Sequence, residues 1–220
     1  MNDAVHKTSA EVDPASGGRI RQRNAALILS AAEKVFAASG FNGASMAEIA
    51  AAAGLPKANL HYYFGTKEAL YRAVLTNIIE LWLGETHGIT PEADPAEALG
   101  AYVRAKMRWS RERPDASRVI ANELIHGAAF LTPYLEDDLR RLVDEKSAVI
   151  EQWIEAGRIA KLDPRHLFFS LWAMTQTYAD FDLQIRAVLG GGPLSDAEYE
   201  HATEQVVAFV LRGCGLTPRG

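Results

Sequence analysis

The sequence predicts an all-α protein of about nine helices, and three observations carry that prediction. Apolar residues recur at three- and four-residue steps through most of the chain. Capping residues, glycines and prolines fall at the ends of those periodic stretches. No run of alternating β-branched residues argues for a strand.

The first helix is expected from about Arg21 to Ser39, with Ala25, Ile28, Leu29, Ala32, Val35 and Phe36 on one face and Gly40 as a left-handed stop. Ser45 with Glu48 forms a capping box that opens a short helix from Met46 to Ala53, ended by Gly54. Pro56 suits a helix start, so a third helix should follow to Tyr63. Thr66 caps a fourth, Lys67 to about Leu83. Residues 84–94 read as a loop. Pro95, Pro114 and Pro133 each precede a new pattern, giving helices near 95–112, 115–126 and 133–156. Asp163 with Pro164 opens a helix to about Val188, the glycines at 190–192 break it, and Ser195 opens the last, to about Leu211.

Composition bounds the function. The chain has 220 residues, 48% hydrophobic and 23% charged, as an ordinary globular protein does. A single cysteine, Cys214, allows no intrachain disulfide and no cysteine-rich zinc module, and fits a reducing, cytoplasmic setting. No apolar run is long enough to span a membrane, and Met1 to Gly18 has no hydrophobic signal region. The six histidines are scattered, and no catalytic or metal-binding motif and no phosphate loop is present, so neither an enzyme nor a cofactor or metal is expected.

The net charge of −5 is unevenly spread. Between residues 19 and 67, Arg19, Arg21, Arg23, Lys34, Lys57 and Lys67 face only Glu33 and Glu48, a net +4 on an otherwise acidic chain. A basic segment of that kind suits a polyanion, because neutralising phosphates supplies much of the affinity for DNA. The same segment holds the elements of a helix-turn-helix. Gly54 allows the tight turn, Ala50 allows close approach, and Ile49, Ala53, Leu55 and Leu60 supply a small core. Lys57, Ala58, Asn59, His61 and Tyr62 are left facing outward. From there Asn59 can read a base edge while Lys57, Tyr62 or Tyr63 and Lys67 reach phosphates.

Residues 21–70 resemble the DNA-binding domain of the TetR family of transcriptional regulators. The resemblance rests on Ile28-Leu29-Ser30-Ala31-Ala32, Phe36, Gly40-Phe41, Ser45-Met46-Ala47-Glu48-Ile49-Ala50, Ala53-Gly54-Leu55, Leu60-His61-Tyr62-Tyr63-Phe64 and Lys67-Glu68-Ala69-Leu70. It implies a homodimeric repressor whose two heads enter successive major grooves of double-stranded operator DNA. His61 stands where many members carry tyrosine. The candidate DNA-binding residues are Arg21, Arg23, Ser45, Lys57, Asn59, His61, Tyr62, Tyr63 and Lys67. The expected organisation is a disordered tail over 1–18, a reading head over 19–66, and a ligand-binding and dimerisation body over 67–220.

The body is similar to that of the pyrimidine-utilisation repressors of this family, through Leu81-Trp82-Leu83, Asp144-Glu145-Lys146-Ser147-Ala148, Asp163-Pro164, His166-Leu167, Trp172-Ala173, Thr175-Gln176 and Tyr178-Ala179-Asp180-Phe181. That resemblance implies uracil or thymine as effector and a pocket among Trp82, Trp172 and Gln176. On the residues alone, helix 163–188 is apolar nearly all round, which asks for the core on one side and a second subunit on the other, with helix 195–211 completing a four-helix interface. Trp172, Gln176 and Asp180 are spaced by four on one face. A planar ring with adjacent N–H and C=O groups would satisfy the Gln176 amide between tryptophan faces. The alternatives are that Gln176 and Asp180 bond to neighbouring helices, that the effector is apolar, or that the chain is an effector-binding dimer with no DNA role.

Overall fold

The computed structural model describes residues 14–217. All regular structure among the described residues is helical, as expected. The order is α1 (Pro14–Gly43), α2 (Met46–Ala53), α3 (Lys57–Phe64), α4 (Lys67–Gly84), α5 (Pro95–Glu112), α6 (Pro114–Ile125), α7 (Thr132–Tyr134), a π-helical turn (Leu135–Leu139), α8 (Arg140–Glu155), α9 (Pro164–Asp180), α10 (Asp182–Leu189) and α11 (Asp196–Gly213).

Local chemistry sets most of these boundaries. The Ser45 hydroxyl accepts from the Glu48 N–H while the Glu48 carboxylate accepts from the Ser45 N–H, closing the capping box of α2. At the other end Gly54 is left-handed, at φ 66°, and the Leu55 N–H returns to the Ala50 carbonyl at 3.0 Å. Thr66 caps α4, Asp94 caps α5, Asp163 caps α9, and Ser195 with Glu198 forms a second capping box at α11.

Four stretches differ from the sequence expectation, one of them 133–156, where a π-helical turn at Leu135–Leu139 separates α7 from α8. Helix α1 starts at Pro14, so residues 14–18, expected in a disordered tail, are helical; the rest of that tail lies outside the described residues. Gly40, at φ 66°, does interrupt α1, and the chain takes one more turn to Gly43. The helix expected over 163–188 is two helices meeting at Phe181, whose φ of −116° and ψ of 31° are not helical. Asp182 then opens α10 and pairs with Arg186 one turn on, so the apolar spacing carries across a break in the backbone. In the single chain one side of that stretch is open, the side for which a second subunit is expected. Phe169, Phe181 and Leu183 are 51%, 58% and 82% exposed.

The buried side chains form two clusters. One joins α5, α8, α9 and α11 around Leu99, Met107, Ile150, Trp153, Phe168 and Val207. The other is the core of the reading head, and it extends past residue 66. Ile28, Phe36, Ile49 and Leu60 of α1 to α3 pack with Leu70, Val74 and Ile78 of α4 and with Ala116, Val119 and Ile120 of α6. Arg113, at the α5–α6 junction, pairs with Glu33 of α1 and donates to Asn77 of α4 at 3.1 Å. Helix α6 is thus fastened to the head as firmly as α4 is.

A Cβ on Gly54 would meet nothing within 4 Å, so substitution there is opposed by backbone conformation alone. Gly54→Ala should destabilise the protein by about 1–2 kcal/mol in a denaturant titration, the usual cost of a left-handed L-residue.

Candidate nucleic-acid interface and ligand cavity

Helix α3 presents its outer side to solvent. Lys57, Ala58, His61 and Tyr62 are exposed, with Tyr62 at 71%, while Leu60 is fully buried against α1 and α2. Arg21 and Arg23 are exposed on the first turns that precede the head core, and the Arg21 guanidinium lies 5.9 Å from the centre of the Tyr62 ring. Asn59 is half-buried at the base of this surface.

Four of the expected contacts have internal work. The Asn24 amide donates to the Tyr63 hydroxyl at 3.3 Å, tying α3 to α1. The Ser45 hydroxyl is engaged in its cap. His61 Nδ1 lies 2.8 Å from the Gly65 carbonyl, which can only accept, so Nδ1 carries a proton. Lys67 departs furthest from expectation. Its ammonium donates to the Phe41 and Ala44 carbonyls at 2.8 and 3.0 Å and lies over the Phe41 ring, so it holds the α1–α2 corner and leaves at most one N–H for a phosphate.

A cavity of about 290 Å³ lies between the two cores. Trp82 ends α4 on its wall, Ile120 and Leu124 of α6 form another side, and Trp172 and Gln176 reach it from α9. These include three of the four residues expected at the ligand. Asp180 does not line this cavity. It sits at the C-terminal end of α9, where burial raises its pKa against the opposing pull of Ser117, Arg118 and Lys106. The Trp172 indole N–H donates to the Tyr102 hydroxyl at 2.9 Å.

The sequence reading missed Lys106, Tyr102 and Lys146, all on the cavity wall. Lys106 is 4% exposed, with its ammonium 3.9 Å from the centre of the Trp82 ring. Burial pulls its pKa from 10.5 down to about 8, partly opposed by the carboxylates of Asp180 and Glu85. Lys146 is 7% exposed and donates to the Ile89 carbonyl at 3.3 Å. Only helical spacing from Tyr102 could have pointed to Lys106, since they share one face of α5 one turn apart. A second hollow, shared at Leu135, Leu139, Val143 and Trp172, opens beside the first and carries Arg140 and Arg165. The π-helical turn supplies the leucines common to both.

An exposed polar surface on the second helix of a helix-turn-helix, joined by a continuous helix to a largely apolar cavity, defines a ligand-responsive DNA-binding regulator. Comparison with known proteins agrees. The model of the bacterial regulatory proteins of the tetR family matches residues 28–74, and that of the C-terminal region of YcdC-like proteins matches residues 75–217. The chain is 42% identical over 192 residues to the HTH-type transcriptional regulator RutR of Escherichia coli, covering 87% of this chain and 90% of that one. It is 33% identical over 132 residues to the HTH-type transcriptional repressor NicS of Pseudomonas putida, covering 60% and 61%. Among solved structures, AibR in complex with isovaleryl coenzyme A and operator DNA shares the fold, with a TM-score of 0.67 at 22% identity over 90% of this chain and all of that one. A TetR-like regulator from Rhodococcus sp. RHA1 does so with a TM-score of 0.63 at 20% identity, over 89% and 96%. The chain belongs to the TetR family of transcriptional regulators, which are not enzymes. No helix among the described residues is long and apolar enough to cross a membrane.

Two consequences can be measured. Lys67→Met should lower stability by about 1–3 kcal/mol, the range for lost charge-assisted hydrogen bonds, whereas Lys57→Ala should leave the melting curve in place and reduce the salt slope of DNA binding by about 1. The second concerns pH. Between about 8 and 10.5 the unfolded chain keeps the Lys106 proton that the folded chain releases, so this group's contribution to stability rises with pH across that window. Lys106→Met should flatten that part of the stability profile.

Proposed function

We propose that the protein is a homodimeric repressor that binds operator DNA through paired α3 helices and leaves it when a pyrimidine-2,4-dione such as uracil or thymine enters the cavity. The observation that carries this reading is α4, which begins at the head core with Lys67 and brings Trp82, in its last turn, to the cavity. A ligand drawing on its far end changes the spacing of two heads that must fit successive major grooves. Gln176 supports a polar planar ligand because its amide offers a donor and an acceptor side by side. The likeness to RutR and the pyrimidine-repressor motifs of the body support the same choice.

The dimer reading is supported by an apolar strip in the single chain. Phe169, Phe181, Leu183, Val188, Leu189 and Phe209 of α9 to α11 are all more than half exposed. Large exposed apolar groups gathered on neighbouring helices suit a self-complementary interface. In the dimer the DNA-facing set is Arg21, Arg23, Lys57, Asn59, His61 and Tyr62, with Ser45, Tyr63 and Lys67 acting mainly to position them. Trp82, Trp172 and Gln176 face the effector, and Asp180 acts on it only through Lys106. A more apolar effector is favoured by the aliphatic and aromatic side chains that make up most of the wall, and the same experiment discriminates it.

DNA selected from a random pool by the purified protein should be released in a mobility-shift titration by uracil or thymine and not by isovaleryl coenzyme A. Retention unchanged by either pyrimidine would remove the proposed effector. Gln176→Leu should weaken quenching of tryptophan fluorescence by uracil through an affinity loss of about 1–3 kcal/mol, roughly 5- to 150-fold.

A further inference from the structure

A lysine ammonium inside an apolar hollow is costly, and it persists where something compensates it. Lys106 has a cation–π contact with Trp82 and the distant charges of Asp180 and Glu85, but no hydrogen-bond acceptor among the described residues. One turn earlier on the same face, the Tyr102 hydroxyl receives the Trp172 N–H, and its own hydrogen likewise meets no acceptor among the described residues. Two donors therefore face one cavity from the same helix, with their acceptor missing. The other side-chain oxygens of the wall belong to Thr86, Tyr134 and Gln176, and none of the three is hydrogen-bonded to either donor.

We infer that Lys106 and Tyr102 form a donor pair that grips an exocyclic oxygen of the effector, so that the cavity selects flat heteroaromatic rings carrying a carbonyl or carboxylate. This rests on reading the cavity as the effector site and adds to it the chemistry that the effector must present. With the oxygen held on the α5 side, the ring edge is left for the Gln176 amide across the cavity. Ring oxygen and Trp82 face then compete for one ammonium, and Trp82 is the last aromatic residue of the helix that leads to the reading head. Lys106 is therefore a specificity residue for the ligand and a link to α4.

The test uses the full-length protein, tryptophan quenching and thermal melting, with four probes: uracil, thymine, unsubstituted pyrimidine and pyridine-3-carboxylate. Lys106→Met should lose roughly 10- to 100-fold in affinity for the oxygen-bearing ring that binds, and Tyr102→Phe roughly 5-fold or more. Pyrimidine, which lacks the oxygen, should bind at least about 10-fold more weakly than uracil. Without ligand, Lys106→Met should melt at or above the temperature of the unaltered protein, because it removes a buried charge kept for a partner. Uracil binding to Lys106→Met and Tyr102→Phe with unaltered affinity would overturn the donor pair and leave the pyrimidine reading intact. Binding of pyridine-3-carboxylate alone, lost in Lys106→Met, would do the reverse. If Lys106→Met fails to fold, or melts far below the unaltered protein, Lys106 is structural and the pair is overturned. The pair is likewise overturned if neither oxygen-bearing ring binds the unaltered protein.

Discussion

Two buried carboxylates fasten the reading head to the rest of the chain, and any route from cavity to DNA must pass through the helices they join. Glu33, on α1, receives Arg113 from the start of α6. Glu123, near the end of α6, accepts the Tyr71 hydroxyl of α4 at 3.0 Å with one oxygen and the Phe130 backbone N–H at 2.6 Å with the other. Burial and the neighbouring Glu123 charge raise the Tyr71 pKa, which keeps the phenol a donor. Each carboxylate is 7% exposed, so neither can lose its partner and turn to water without moving a helix. Their joint action makes α1, α4 and α6 one packed unit, and that unit forms one side of the cavity.

This arrangement changes how a ligand would act. If α4 alone joined cavity to head, the head could swing as the far end of a lever. Helix α6 lies against α1 and donates from Asn122 to the Ala37 carbonyl at 3.3 Å, while Ile120 and Leu124 of the same helix line the cavity. A ligand that spreads or draws in these walls must move two helices whose inner ends share a core. Packed cores respond by switching between arrangements rather than by bending smoothly, so under the proposed mechanism a small displacement at Trp82 and Ile120 would be carried to α3 as a rigid shift.

Most of the head was legible in the sequence because its determinants are local. A capping box spans four residues, a left-handed glycine declares itself, and the buried spacing of Ile28, Ala32 and Phe36 lies within one helix. Trp82, Trp172 and Gln176 were reached by helical phase together with family resemblance. Lys106 was not legible, since lysine on an amphipathic helix ordinarily marks the solvent side, and its burial depends on α4 and α9 arriving from distant parts of the chain. The internal use of Lys67 was hidden for the same reason: its acceptors belong to Phe41 and Ala44, across the corner between α1 and α2. The break at Phe181 escaped because apolar periodicity continues through it.

A ligand shifts an equilibrium only by the difference in its affinity for the two states. The cavity therefore has to hold something in one state that it releases in the other, and the chain contains a suitable element in the ammonium of Lys106. That charge, on α5, rests on the face of Trp82, on α4. An acceptor oxygen would draw it away and replace a weak cation–π contact with a charge-assisted hydrogen bond, while freeing the wall that α4 provides. The exchange occurs at the end of the helix farthest from the DNA, within a unit whose other end is locked by Glu33 and Glu123. A difference of about 1–3 kcal/mol between those two resting places for one ammonium is the scale of ordinary allosteric coupling, and it is enough to change operator affinity by roughly 5- to 150-fold.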